Sequence, residues 1–481
     1  MNVLVTGATG YIGGELVPRL LAQGHSVTCM VRSVARAQGR MHPGARLVEG
    51  DVLRSETLVP ALKNADVAYY LIHSMGEGEE AFETRDRDGA ANFAVAAKAA
   101  GVQRIIYLGA LGNADSRLSP HLKSRQETGN VLRRLGPPVT EFRAAIIVGG
   151  GSVSFEIIRH LSERLPVMVC PRWVSTRVQP IAIADVLNYL VEALHQPRCV
   201  GEIIDIGGAS VETYGSMMLT YARIRGLKRW LLRVPVLTPR LSSYWLDLVT
   251  PIPPSVSRPL IEGLRSEVVC RDSKAREIFP AIVPADYEAA VQAVLAAAKP
   301  NSSNFTTDLP ADGHRLSRVQ GFVFDTTQQT IGARAEKVFT LLDGMGGERG
   351  WFYADSLWRL RGWIDGWIGG PGMRRGRSPG RTQAGGRVDF WRVEDMVEGR
   401  RILLRAESRL PGSAWLEFAL TPLPAERCRL RCTSIFQPLG LAGELYWWML
   451  YPIHRFIFRG MVRKIASQAE APVCPLPLEG V

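Results

Sequence analysis

The chain has 481 residues, 46% of them apolar, which suits two or three globular domains with sizeable cores rather than a disordered chain. Its formal charge is +12, but outside Arg374, Arg375 and Arg377 the basic residues stand mostly singly among acids, so no nucleic-acid-binding face is expected. No apolar run of about 18 residues predicts a spanning helix, no leader is read before the first strand, and seven scattered cysteines, only Cys428 and Cys432 close together, predict no metal site and a reducing, cytoplasmic setting.

The chain opens on MNVLVTGATGYIG, an apolar β-run followed by Gly7, Gly10 and Gly13 and then by an apolar helical pattern. A strand, a glycine turn and a helix start suit a phosphate-bearing nucleotide: the helix end offers free N–H groups, and the glycines allow close backbone approach. This places Gly7, Thr9, Gly10, Tyr11, Ile12 and Gly13 around a pyrophosphate. Residues 12–23 read as a helix and 26–31 as a second strand ending at Arg32 and Ser33. An acid at that position would bind ribose hydroxyls, whereas arginine accommodates a 2′-phosphate, so Arg32, with Arg36 behind it, predicts NADP(H) over NAD(H).

Residues 46–50 form a third strand leading into Asp51 and Val52, and 66–72 a fourth ending in His73 and Ser74. Loops at that sheet edge face the ligand, which adds His73 and Ser74 to the cofactor set. A helix at about 79–100, a strand at 104–109, a strand at 139–148, helices at 153–164 and 185–195, the latter opened by Asp185 as N-cap, a strand at 202–206 and helices at 213–226 and 286–298 complete a doubly wound parallel pattern. The proline-rich stretch 231–260 either covers a substrate pocket or packs a subdomain.

TGATGYIG, Asp51-Val52, the strand at 104–109, SPHLKSRQETGNVLRRLG and FRAAIIVGGGSVSFEIIRHL resemble the atypical short-chain dehydrogenase/reductase families, nearest to the NmrA-like and complex I 39-kDa-subunit-like groups. The resemblance implies a Rossmann NAD(P)-binding domain over residues 1–298, its substrate side at about 210–298, and it alone adds Asp51 and Val52 to the cofactor set. An active member would place Tyr-x-x-x-Lys where this chain has His121 and Arg125, and a serine or threonine where it reads Gly109-Ala110-Leu111-Gly112. His121 is therefore the candidate acid and Arg125 a candidate fixed cation. Two function classes stay open: an oxidoreductase acting on a small hydrophobic carbonyl or quinone-type substrate, and a non-catalytic NADPH-binding sensor or scaffold with a lipid- or protein-binding C-terminal domain.

Residues 299–317 read as a linker. From residue 318 onward the chain holds eight of the eleven tryptophans and 23 Lys and Arg against 16 Asp and Glu. Strands are expected at 319–331, 387–397, 401–408, 414–421 and 428–436, with a helix at 334–342, a surface loop at 369–386, a long helix at about 441–467 and a tail at 471–481. This α+β order over 318–470 resembles the helix-grip fold of the SRPBCC/START group. The tryptophans either line a cavity or fill a core. The terminal helix is either the gripped core helix or one lying on a membrane surface, giving a peripheral membrane contact, and Pro452 is expected to kink it.

Overall fold

The computed structural model describes the chain except residues 74–78, 113–118, 235–252, 254–262, 265, 301–311, 368, 373–375, 379 and 472–481. Ser74, most of 231–260, most of the expected linker, Arg374, Arg375 and the tail with Cys474 lie outside the described residues. Met1–Ala298 and Lys299–Val481 are two compact units. Labels below cover the strands of the two large sheets and helices of nine residues or more.

In the first unit, strands β1 (Asn2–Thr6), β2 (Ser26–Val31), β3 (Arg46–Glu49), β4 (Val67–Tyr70), β5 (Arg104–Ala110), β6 (Val139–Ala144) and β7 (Ile203–Ile206) form one sheet in the order β7-β6-β5-β4-β1-β2-β3. Every pairing is parallel. Strand alternation divides the side chains between two cores. Val3, Val5, Tyr69, Ile106 and Leu108 pack on one face with helices α1 (Tyr11–Ala22) and α5 (Ile183–Glu192). Leu4, Tyr70, Ile105 and Tyr107 pack on the other with α2 (Glu79–Ala99) and α3 (Pro120–Leu135). Strands buried on both faces explain the near-continuous apolar runs of the sequence. The chain direction of sheet growth reverses between β1 and β4, which is where ligands bind in such sheets. Helices α4 (Val153–Arg164), α6 (Tyr214–Ile224) and α7 (Tyr287–Ala297) build a further core beyond the carboxyl edge.

Two expectations in this unit are corrected. The strand read at 139–148 breaks after Ala144; Ile147–Val148 pairs instead with Ile181–Ala182 in a separate ribbon. Asp185 is not an N-cap: α5 starts after Ala182, and the Asp185 carboxylate accepts the Ala285 N–H at 2.9 Å, tying α5 to the segment before α7.

In the second unit, β8 (Gly313–Val319), β9 (Phe322–Ile331), β10 (Arg387–Val388), β11 (Trp391–Val397), β12 (Arg401–Ala406), β13 (Gly412–Leu423) and β14 (Arg427–Pro438) form an antiparallel sheet in the order β8-β9-β14-β13-β12-β11-β10. The strand expected at 319–331 starts at Phe322 and is the second arm of a hairpin whose first arm, Gly313–Val319, takes up the end of the stretch expected as linker; the hairpin turns at Gln320 and Gly321, whose φ values of 49° and 86° suit a tight two-residue turn. The strand expected at 387–397 is two strands, turning at Asp389 (φ 54°) and Phe390. Helices α8 (Ala335–Asp343), α9 (Asp355–Trp367) and α10 (Gly440–Glu470) complete the unit. No helix was expected at α9. Its two glycines and three tryptophans weaken the helical pattern, yet Trp358, Gly362 and Asp365 form a buried stripe.

The second half of α10, through Met461, Val462, Ile465 and Ala466, packs on the sheet beside Leu416, Phe418 and Cys432. The helix runs through Pro452 without interruption, and the missing N–H there leaves the Trp448 carbonyl without its helical donor. Trp351, Trp358 and Trp391 pack with Phe390 as a buried aromatic group, with Trp351 and Trp358 centroids 5.0 Å apart. Trp415 and Trp447 are also buried, whereas Trp363, Trp367 and Trp448 are exposed. Among the described residues no helix is long and apolar enough to cross a membrane.

Candidate functional site

The turn after β1 is built closely around three glycines, two of which admit no side chain. Gly7 has φ +65°, and a Cβ there would stand 2.6 Å from the Leu71 carbonyl oxygen of the neighbouring strand end. A Cβ on Gly10 would stand 3.1 Å from the Gly7 carbonyl oxygen, and one on Gly13 2.4 Å from the same atom. At Gly7 and Gly13 the chain folds back on itself so closely that only hydrogen fits, while at Gly10 a Cβ would make a tight contact. Gly10 is the N-cap of the twelve-residue α1, with no side chain capping the helix and no acid in its first turn. The free N–H groups and the positive dipole end are left for an anion. Thr6, fully buried, accepts the Leu71 N–H at 3.1 Å and donates to the Tyr69 carbonyl at 3.0 Å, pinning β1 to β4 at the point of reversal. This glycine cradle fits the pyrophosphate of a dinucleotide.

The other cofactor-side residues divide. Tyr11 begins α1, and a Cβ on Gly149 would collide with its hydroxyl, so the glycine run 149–151 makes room for that ring. Burial, with Glu15 and Glu156 nearby, raises the Tyr11 pKa far above the ordinary tyrosine value and keeps the phenol neutral. Arg32 follows β2 and is exposed, as is Arg36 one turn on; Ser33 caps no N–H with its side chain. Asp51 is committed locally: its carboxylate accepts the Leu53 N–H at 3.0 Å. Val52 is buried, and its carbonyl accepts from Asn92 at 2.9 Å.

His73 and His121 are brought together, with ring centroids 5.0 Å apart at 52°. His73 Nδ1 lies 2.9 Å from the carboxylate of Asp86 on α2. Ionised Asp86 would hold the proton on Nδ1, leaving Nε2 as the acceptor. His73 Nε2 and His121 Nδ1 are both buried without a hydrogen-bond partner. Burial, with help from Arg125, lowers the pKa of both rings; that of His121, next to His73, is pushed down to about 3. His121 is therefore a neutral imidazole at neutral pH.

Arg125 lies one turn after His121 on α3. Its guanidinium donates to the carbonyls of Leu108 and Ile72, at the ends of β5 and β4, and stacks over the Tyr107 ring at 5.1 Å. The Tyr107 hydroxyl donates back to the Arg125 carbonyl at 2.8 Å. These contacts tie α3 to the carboxyl edge of the sheet.

His121 also lines a cavity of about 140 Å³. The rest of its wall is mainly apolar, with Leu111 after β5, Ile158 and Leu161 on α4, Trp173, and Tyr214 and Met218 on α6. Sequence reading missed Asp86 and this wall. Asp86 had a signal: it shares the buried stripe of α2 with Ala90, Phe93 and Ala97, and a buried acid on an apolar stripe needs a partner. The wall had none, because its members come from separate helices.

The parallel sheet, glycine cradle and uncapped helix define a Rossmann-type domain whose cradle suits a dinucleotide. Residues 7–136 match the family model described as NAD(P)H-binding, and 320–461 match that of DUF2867, a protein family of unknown function. The photosystem II assembly factor Ycf39 of Synechocystis sp. is 28% identical over 199 residues, 40% of this chain, which spans 58% of that protein's length. The ceramide reductase of Caulobacter vibrioides is 29% identical over 240 residues, 48% of this chain and 73% of the reductase. The triphenylmethane reductase of Citrobacter sp. superposes with a TM-score of 0.51 over 62% of this chain and its own full length, at 19% identity, a likeness of fold.

Proposed function

We propose that the N-terminal unit is an NADP(H)-dependent reductase of a hydrophobic carbonyl or quinone-type substrate. One observation carries this reading: a buried neutral imidazole, His121, with an unpartnered ring nitrogen, on the wall of an otherwise mainly apolar cavity beside the glycine cradle's sheet edge. The ceramide reductase relative, whose name specifies a lipid substrate, supports an apolar substrate class. The cradle formed by Gly7, Gly10 and Gly13 would hold the pyrophosphate, and Arg32 the 2′-phosphate. NADPH, when bound, supplies the hydride.

The apolar wall excludes water from the carbonyl, and a neutral His121 N–H donates a hydrogen bond to the oxygen as negative charge develops there. Asp86 orients His73, and His73 packs against His121 and limits its rotation. The carbonyl carbon gains the hydride, and the oxygen, held by the His121 N–H while charge develops, gains its proton from solvent once the cavity opens for product release. Because His121 is already neutral, the rate should show no histidine ionisation between about pH 5 and 8; a break near the ordinary histidine pKa would contradict this role.

Arg125 favours a second reading, an NADPH-binding module without turnover, since its guanidinium is directed to backbone carbonyls. The assembly-factor relative is consistent with that class. Absorbance at 340 nm with NADPH and a panel of hydrophobic ketones, enones and quinones separates the two. Turnover that falls by about 10²-fold or more in His121→Ala supports the reductase. Thermal stabilisation by NADPH with no consumption across the panel supports the module. Arg32→Asp should weaken NADPH binding relative to NADH; an unchanged ratio removes Arg32 from the phosphate contact.

We further infer that the C-terminal unit is a helix-grip domain, supported by the packing of α10 across its antiparallel sheet.

A further inference from the structure

The exposed side of the C-terminal unit is unusually apolar at two joined helices. On α9, Leu360, Trp363, Ile364 and Trp367 form a row at helical spacing; Trp363 is 62% and Trp367 82% exposed, and their rings lie 5.6 Å apart. On the first half of α10, Leu445, Trp448, Met449, Ile453 and Phe456 form a second exposed row. The helices are joined by the Arg361 hydrogen bond to the Tyr446 hydroxyl at 3.2 Å and by the Trp358–Phe458 ring contact. Isolated surface apolar residues need no explanation, but two continuous rows with three tryptophans do.

The exposed charges of these two helices before Glu470 share one sign. Asp365 is buried and accepts the N–H groups of Gly372 and Arg409, and Asp355 accepts that of Trp351. Glu444, the one acid of α10 before Glu470, is buried in a bidentate pair with Arg318 at 2.6 and 2.7 Å. Arg359, Arg455, Arg459, Arg463 and Lys464 remain exposed. Tryptophan and long apolar side chains flanked by arginine suit the interface of an anionic bilayer, where aromatic rings sit at headgroup depth and each cation adds attraction. We propose that α9 and the first half of α10 form a membrane-docking face that inserts its tryptophans into an anionic lipid surface. The face is monotopic: it lies on the bilayer and does not cross it.

Flotation of the full-length protein with vesicles of phosphatidylcholine, alone or mixed with phosphatidylglycerol, tests this. Binding is expected on the mixed vesicles, weakened by salt, and reduced about tenfold or more by Trp363→Ser with Trp367→Ser. Trp230→Ser, at an exposed tryptophan of the other unit, should leave it unchanged. Both altered α9 side chains are exposed, so the variant should fold; circular dichroism checks this. Wild-type protein that floats with neither vesicle, or a folded double variant that floats as well as wild type, overturns the proposal. So does a wild-type dimer in sedimentation that the double variant splits without any lipid binding, which would assign the face to a second copy of the chain.

Discussion

His121 has its pKa pushed down to about 3 by burial, with His73 and Arg125 adding to the effect. In the unfolded chain it would titrate near 6.5, so below that pH the unfolded state binds the extra proton and the fold loses stability. The histidine's contribution is complete above about pH 6.5 and declines as pH falls towards 3. Between pH 6.5 and 5 the loss should reach about 2 kcal/mol, and His121→Gln should flatten this part of a denaturant-melting profile. An identical slope in the variant would contradict the buried neutral ring. Gly13 offers a second test at this scale. Alanine there drives a Cβ against the Gly7 carbonyl and the Ala8 Cα, both backbone atoms that cannot move aside cheaply. Gly13→Ala should cost about 1–3 kcal/mol and abolish thermal stabilisation by NADPH; a variant that keeps the NADPH shift would remove the cradle from the site.

The helix α10 is divided between two environments. Its second half is core: Ile465→Ala should destabilise the C-terminal unit by about 2–5 kcal/mol. Its first half carries an exposed row, and Leu445→Ala should stay within about 0.5 kcal/mol, as read from urea melts of tryptophan fluorescence. Equal costs at the two positions would contradict the division. The sequence posed a choice between a gripped helix and a surface helix; in the structure the second half packs on the sheet and the first half bears an exposed apolar row. Periodicity along the helix could not separate them, because both halves are amphipathic and the partner sheet comes from residues far away in sequence. The hairpins at Gln320 and Asp389 were hidden for a different reason. A two-residue turn with positive φ at non-glycine positions leaves little mark in the residue types.

Each of the two units has cores of its own, those around the parallel sheet in the first and that beneath the antiparallel sheet in the second. NADPH should therefore raise only the calorimetric transition of the N-terminal unit, by about 2.7 kcal/mol of stabilisation at a hundredfold excess over Kd; a shift of both transitions together would contradict independent units. The parallel architecture and the cradle were legible because strand–glycine turn–helix is a local pattern, and the region 7–136 lies within a matched family model. The Asp86–His73–His121 grouping was not, since it joins α2, the end of β4 and α3 through packing. The proposed transfer of hydride to a substrate seated at His121 has a direct isotopic test. Of the two forms of NADPH monodeuterated at nicotinamide C4, one should pass its deuterium to the reduced carbon of a hydrophobic ketone or enone, detected by mass spectrometry, and His121→Leu should lose that transfer while still binding NADPH. Product without deuterium from either form, or full transfer in the His121 variant, would contradict it.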